Sequence, residues 1–192
     1  MPSSPPSSTA PFAANSESLP AATYVLTLPG AILKRGFWLY VWRIETPRGE
    51  VLYVGRTGDN SSPHATAPYQ RMGQHLSQVK TQNALRRQLE QRGIDPATCA
   101  NFHLVSHGPL YEEIARFDGA TRAALMDQHR PIRDIVGAME KALADDLAAA
   151  GYEVLNTVNW RPALDLALWE PVRAAFAVHF SRLAQPESGD EA

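Results

Sequence analysis

The sequence predicts an α+β domain: a small three-stranded, mainly antiparallel sheet that begins with a β-hairpin and is flanked by helices. Three observations carry this expectation. Two aromatic and β-branched runs, 38–44 and 51–54, are separated only by the turn signal Thr46-Pro47-Arg48-Gly49. A single further extended run follows, with Phe102, His103, Leu104 and Val105. The rest of the chain shows helical periodicity without the strand–helix alternation of a doubly wound fold.

Taken in order, Trp38 to Ile44 forms the first strand and Val51 to Val54 the second, which Gly55 ends. Residues 57–67 are a polar loop containing Ser61-Ser62-Pro63-His64. Pro68 suits the first turn of a helix whose apolar face is Tyr69, Met72, Leu76 and Val79. A second helix covers Gln82 to Gln91 and stops near Gly93, and the stretches 109–117 and 120–129 read as helical. Pro131 then opens a longer helix to Ala150, closed by Gly151, with the stripe Ile132, Ile135, Val136, Met139, Leu143 and Leu147. Tyr152 to Leu155 is a short extended segment, and a last amphipathic helix runs from Leu166 to Leu183 with Trp169 and Phe176 on the core.

The ordered unit spans 21–185. It is preceded by a leader (1–20) with six Ser and five Pro, expected to be disordered, and followed by a solvated acidic tail (186–192). The leader lacks the basic start and apolar region of a secretory signal, so the expected location is cytoplasmic. No run approaches 18 consecutive apolar residues, so no transmembrane helix and no membrane partner are expected. One cysteine, Cys99, excludes an intrachain disulfide framework. The formal net charge of −2 conceals an asymmetry. Residues 34–92 carry ten basic and four acidic side chains, and residues 93–185 eight and twelve. A locally positive half fits a phosphate-facing surface.

Few residues could do chemistry. The hairpin can bring Tyr40 and Tyr53 together on one sheet face if the register allows. Arg71 and His75, four apart, share one helix face about 6 Å apart along the axis. An arginine fork grips phosphate and an imidazole relays a proton. Glu140 lies at the margin of the long helix's stripe, where a carboxylate needs a partner such as a metal ion; Asp146 is a rival. Cys99, His103 and His107, spaced four apart, are a separate candidate for a zinc site. The run 54–58 is Gly-rich but lacks the spacing and Lys-Ser/Thr ending of a P-loop, and neither GxSxG nor HExxH occurs.

In their order along the chain, these residues resemble the GIY-YIG nuclease family. Trp38-Leu39-Tyr40 stands where the family has Gly-Ile-Tyr, and Tyr53-Val54-Gly55 where it has Tyr-Ile-Gly. Arg71 and His75 match a helical Arg-x3-His, Glu140 a glutamate of a later helix, and Asn156 an asparagine beyond it. Arg56 stands where many members carry a basic residue. The resemblance covers about residues 36–158. It departs from the pattern at Trp38, which replaces the first glycine, and in the long stretch from Gly55 to Arg71.

The resemblance implies a metal-dependent endonuclease acting on DNA, with RNA an alternative substrate. Tyr40, Tyr53, Arg71, His75 and Glu140 would be catalytic, and Gly55, Arg56 and Asn156 would bind substrate. Glu140 would hold a single Mg²⁺ or Mn²⁺. Arg71 would stabilise charge in the transition state. Tyr40, Tyr53 or His75 would be the general base: ionising a phenol at pH 7 costs about 4 kcal/mol, so a phenolate needs a cation beside it, and without one the imidazole is the better base. Specific double-strand cutting would require a homodimer or a partner, because no added recognition domain is evident. The alternative function is a nucleic-acid-binding module that keeps the scaffold and does not cleave.

Overall fold

The structure is a computed structural model and describes residues 21–59 and 61–184. The expected leader and acidic tail lie outside the described residues. Strands β1 (Phe37–Thr46) and β2 (Gly49–Arg56) form the antiparallel hairpin. Strand β3 (Asn101–Tyr111) pairs antiparallel with the other side of β1, so the sheet order is β2-β1-β3. The chain is therefore α+β, as its sequence predicts.

Register decides what each face carries. Tyr40 lies opposite Gly55 and Trp42 opposite Tyr53, so Tyr40, Trp42, Ile44 and Tyr53 share one face. That face packs against α1 (Pro68–Leu76) and α2 (Ala84–Gln91), chiefly through Met72, Leu76, Leu85 and Leu89. The opposite face, with Phe37, Leu39, Val41, Leu52 and Val54, packs against α3 (Arg122–Ala149) and α4 (Leu166–Ala177). The sheet is thus the middle of three layers.

Segment 153–155 protects the outer edge of β2. Leu52 donates its N–H to the Glu153 carbonyl at 2.8 Å, and Leu155 donates to Leu52 at 2.7 Å. This is the expected extended segment, paired in parallel through Leu52 and Val154.

Several elements differ from their expected form. The stretch 109–117 is not helical: β3 runs on to Tyr111, which pairs with Phe37, and the chain from 112 to 116 is irregular. Cross-strand hydrogen bonding there outweighs local pattern. The segment 120–129 and the long helix are one element. It begins at Thr121, whose hydroxyl accepts from the Ala124 N–H at 3.2 Å. Pro131 sits inside it rather than opening it. The proline removes the N–H that would reach Asp127, but both residues are exposed, so water serves the freed carbonyl. Helix α1 ends at Leu76, so Val79, expected on its apolar face, lies beyond it and is exposed; Tyr69 within it is exposed too, and His75 is buried instead. The last helix ends at Ala177, and Phe180 and Leu183 continue the core from a bend and a short 3-10 turn, with Trp169 and Phe176 buried as expected. Among the described residues no helix is long and apolar enough to cross a membrane.

Candidate active site

The hairpin places Tyr40 across Gly55. A Cβ at Gly55 would lie 2.5–2.6 Å from the Tyr40 ring and hydroxyl, so the glycine is required by the close approach of the aromatic side chain. Gly55→Ala should therefore destabilise the protein by about 1–3 kcal/mol and displace Tyr40. Urea denaturation measures the first effect. A stable variant with unchanged tyrosine fluorescence would contradict both.

Helix α1 brings His75 onto the same face. Its Nε2 lies 2.6 Å from the Tyr40 hydroxyl, and its ring packs edge-on to Tyr40 and to Tyr53, with centroids 5.6 and 5.1 Å away. The phenol is the stronger acid, so it donates and the imidazole accepts; this assigns the remaining ring proton to Nδ1, which is buried without a hydrogen-bond partner. Burial, reinforced by the Arg71 charge, pushes His75 down to about 3, so the ring is neutral at pH 7.

The linkage has a definite sign. Between about pH 6.5 and pH 3 the unfolded chain binds a proton at this position and the folded chain does not, so stability falls as pH falls through that window. The contribution approaches about 5 kcal/mol at its limit. Thermal unfolding of wild type and His75→Gln should therefore converge on acidification. Parallel pH dependences would contradict the buried neutral imidazole.

Arg71, one helical turn before His75, lies 3.6 Å from Asp59 Oδ2 and donates from Nη1 to Gln74 at 3.1 Å. Its charge favours the Tyr40 phenolate, but burial dominates and pushes the phenol up to about 12. Tyr53 is raised too, first by burial and then by Tyr40 and Glu140. Burial also works to raise Asp59, yet hydrogen bonds from Ser61 and the charges of Arg71 and Arg56 outweigh it and hold that carboxyl below its usual range.

Glu140 reaches the same region from α3. Arg56, the last residue of β2, donates from Nε to Glu140 Oε2 at 2.8 Å and from Nη1 to the Gly58 carbonyl at 2.7 Å. Burial raises the Glu140 carboxyl, against the pull of Arg56 and Arg71. The Trp160 ring lies 4.7 Å from the Arg56 guanidinium, and its indole N–H donates to the Asp134 carbonyl at 3.1 Å. Arg56 is thus the buried counter-charge of Glu140, set against an aromatic face.

Asn156 faces the backbone. Its Oδ1 accepts from the Val54 N–H at 3.0 Å and its Nδ2 donates to the Val54 carbonyl at 2.9 Å. The side chain continues the strand-like pairing of 153–155 and fixes the end of β2 that carries Gly55 and Arg56. It acts on the site by position.

The structure therefore brings together Tyr40, Tyr53, Gly55, Arg56, Arg71, His75 and Glu140. It adds Asp59 and Trp160, which the sequence reading did not single out. A cleft of about 440 Å³ leads to this cluster, lined by Asp59, Arg71, Gln74, His75, Lys80 and Arg87. The neighbouring basic residues Arg86 and Arg92 are engaged locally, with Glu90 and with the Leu155 carbonyl respectively.

The donors suit a hard cation. Glu140 and Asp59 are the carboxylates at this cluster, the Asp59 charge adds a little to the rise of Glu140, and Mg²⁺ commonly takes one or two carboxylates with water and phosphate oxygens. Cys99, His103 and His107 do not assemble in this way. His103 meets Glu45 at 3.2 Å, while His107 packs against Phe176 about four residues further along β3. Among the described residues no group of three or more His, Cys, Asp or Glu side chains is arranged to hold a metal. No protein-family model, curated protein or solved structure matches this chain, so its site is read from its own residues and geometry.

Proposed function

We propose that this protein is an endonuclease of the GIY-YIG type that hydrolyses DNA phosphodiester bonds with a divalent metal. The observation that carries the reading is the Tyr40 hydroxyl 2.6 Å from His75 Nε2, beside Arg71, with the Arg56–Glu140 pair near enough for both charges to act on the same phenol. The ordered resemblance of 36–158 to that family supports it.

A standing phenolate is unfavourable. With Tyr40 at about 12, ionising it at pH 7 costs about 7 kcal/mol. A relay avoids that state: Tyr40 takes the proton of an attacking water as it passes its own to His75 Nε2. Arg71 opposes a second positive charge on His75 in the free protein. A phosphate oxygen bound to Arg71 would answer that charge and make protonation of the ring easier. Arg71 would also neutralise charge that builds on the phosphoryl oxygens. Glu140, with Asp59 near it, would hold Mg²⁺ or Mn²⁺, which supplies Lewis-acid stabilisation of the phosphoryl and leaving oxygens when bound. Arg56 and Trp160 hold Glu140 in place.

The second reading is a non-cleaving nucleic-acid-binding module. It is favoured by one observation: Arg56 already neutralises Glu140 at 2.8 Å. Incubation of wild type and Glu140→Ala with supercoiled plasmid and labelled single-stranded DNA, with Mg²⁺, Mn²⁺ or chelator, separates the two. Metal-dependent nicking lost in the variant supports the nuclease. Salt-sensitive binding without cleavage supports the module. Neither binding nor cleavage would overturn both.

A further inference from the structure

Residues 57–59 and 61–67 separate two clefts. One side faces the catalytic cluster through Asp59. The other side carries His64, which walls two adjoining cavities of about 430 and 410 Å³ together with Arg116. Arg35 lines the first cavity and Arg122 the second.

Hydrogen bonding sets the charge of this region. Arg35 grips Glu113 through two bonds, Nε to Oε2 at 2.5 Å and Nη2 to Oε1 at 2.7 Å. Glu113 also lies 3.2 Å from His64 Nδ1, which donates to it. His64 Nε2 is then the acceptor, and Arg116 donates to it from Nη2 at 3.0 Å and from Nε at 3.3 Å. The chain Arg35–Glu113–His64–Arg116 therefore contains one acid and two guanidinium groups. Arg116 is oriented by an imidazole nitrogen and not by a carboxylate. Arg122 donates to the Ser61 carbonyl at 3.1 Å. Neither Arg116 nor Arg122 has an acidic partner among the described residues.

Both cations are hydrogen-bonded to the loop that carries Asp59, Arg116 through His64 and Arg122 through Ser61. Ser61 holds Arg122 through its carbonyl and donates its N–H to Asp59 Oδ1 at 2.8 Å, while Asp59 faces Arg71. We propose that the face formed by His64, Arg116 and Arg122 is a second phosphate-binding surface, which takes the nucleic-acid backbone flanking the phosphate held at Arg71. The inference rests on the nuclease reading and names where the substrate strand leaves the catalytic cleft. Two undischarged, pre-oriented guanidiniums suit phosphodiester oxygens, which recur at every nucleotide of a strand.

The test compares wild type with Arg116→Gln/Arg122→Gln. The control is Arg173→Gln/Arg182→Gln, which removes the same charge near the far end of α3, where Arg173 meets Asp146 and Arg182 meets Gly151. Binding of linear duplex DNA is measured in chelator across a salt series, and plasmid cleavage with Mg²⁺ or Mn²⁺. The expected result is affinity lowered about tenfold or more and a salt slope shallower by about 2, with a raised KM, relative to wild type and control. Melting temperatures show that all three proteins fold alike. Wild-type cleavage with equal affinity and slope in the test and control variants would overturn the inference and leave the nuclease reading standing. So would a fall in kcat with KM unchanged, since that marks a role in shaping the catalytic loop. Wild type that neither binds nor cleaves would overturn the nuclease reading itself, and this inference with it.

Discussion

Glu140→Gln is expected to abolish metal-dependent cleavage and, separately, to lower stability by about 3 kcal/mol. The two effects have different origins. A neutral amide is a poor ligand for a hard divalent cation, so turnover is lost. The stability change comes from Arg56. Its side chain is 9% exposed and Glu140 supplies its counter-charge at 2.8 Å. Removing only the acid leaves a guanidinium buried against the Gly58 carbonyl and the Trp160 ring. The aromatic face offsets part of that cost, by about 1–2 kcal/mol. Arg56→Gln/Glu140→Gln removes both charges and should recover most of the stability with no activity. Urea denaturation with plasmid nicking measures the two effects side by side. Turnover retained in the single variant would refute the metal-holding role of Glu140. Activity restored in the double variant would show that the acid serves only to balance Arg56.

The same pair shows where sequence reading stops. Arg56 and Glu140 are each visible as chemistry-bearing residues, but their contact joins positions 84 apart. Neither periodicity nor spacing encodes it. The hairpin was legible because its turn and its aromatic, β-branched strands agree locally. The long helix is legible through its stripe, and its start is hidden because Pro131 is a strong local signal that an exposed position tolerates. His75 exposes another limit. Helix α1 buries a histidine where apolar pattern assigns a polar face, because its partner is a buried phenol rather than an alkyl group. Asp59 sits in a polar loop, where nothing in its residue type distinguishes it from its neighbours. Trp160 offered a faint signal, a large aromatic in a polar connection beyond Asn156, but its place on Arg56 depends on Gly137, which leaves room under the ring.

Tyr40→Phe is expected to lower kcat by about 10²–10⁴-fold, and Tyr53→Phe by much less. Both phenols are buried on one sheet face and both have raised ionisation, so charge does not distinguish them. Contact does. Tyr40 is bonded to His75 Nε2, whereas the Tyr53 hydroxyl makes no hydrogen bond among the described residues. The pH profile then separates the relay from a standing phenolate. If the reactive form were Tyr40 already ionised, kcat/KM would climb about tenfold per pH unit toward about 12. The relay needs a neutral phenol and a neutral imidazole. With His75 at about 3 and Tyr40 at about 12, both conditions hold throughout the neutral range. These two groups should therefore leave kcat/KM level from about pH 6 to 9. A rising line of unit slope that Tyr40→Phe removes would place the phenolate in the mechanism. A limb near 6.5 that His75→Gln removes would show that the imidazole titrates freely, and that burial does not hold it neutral.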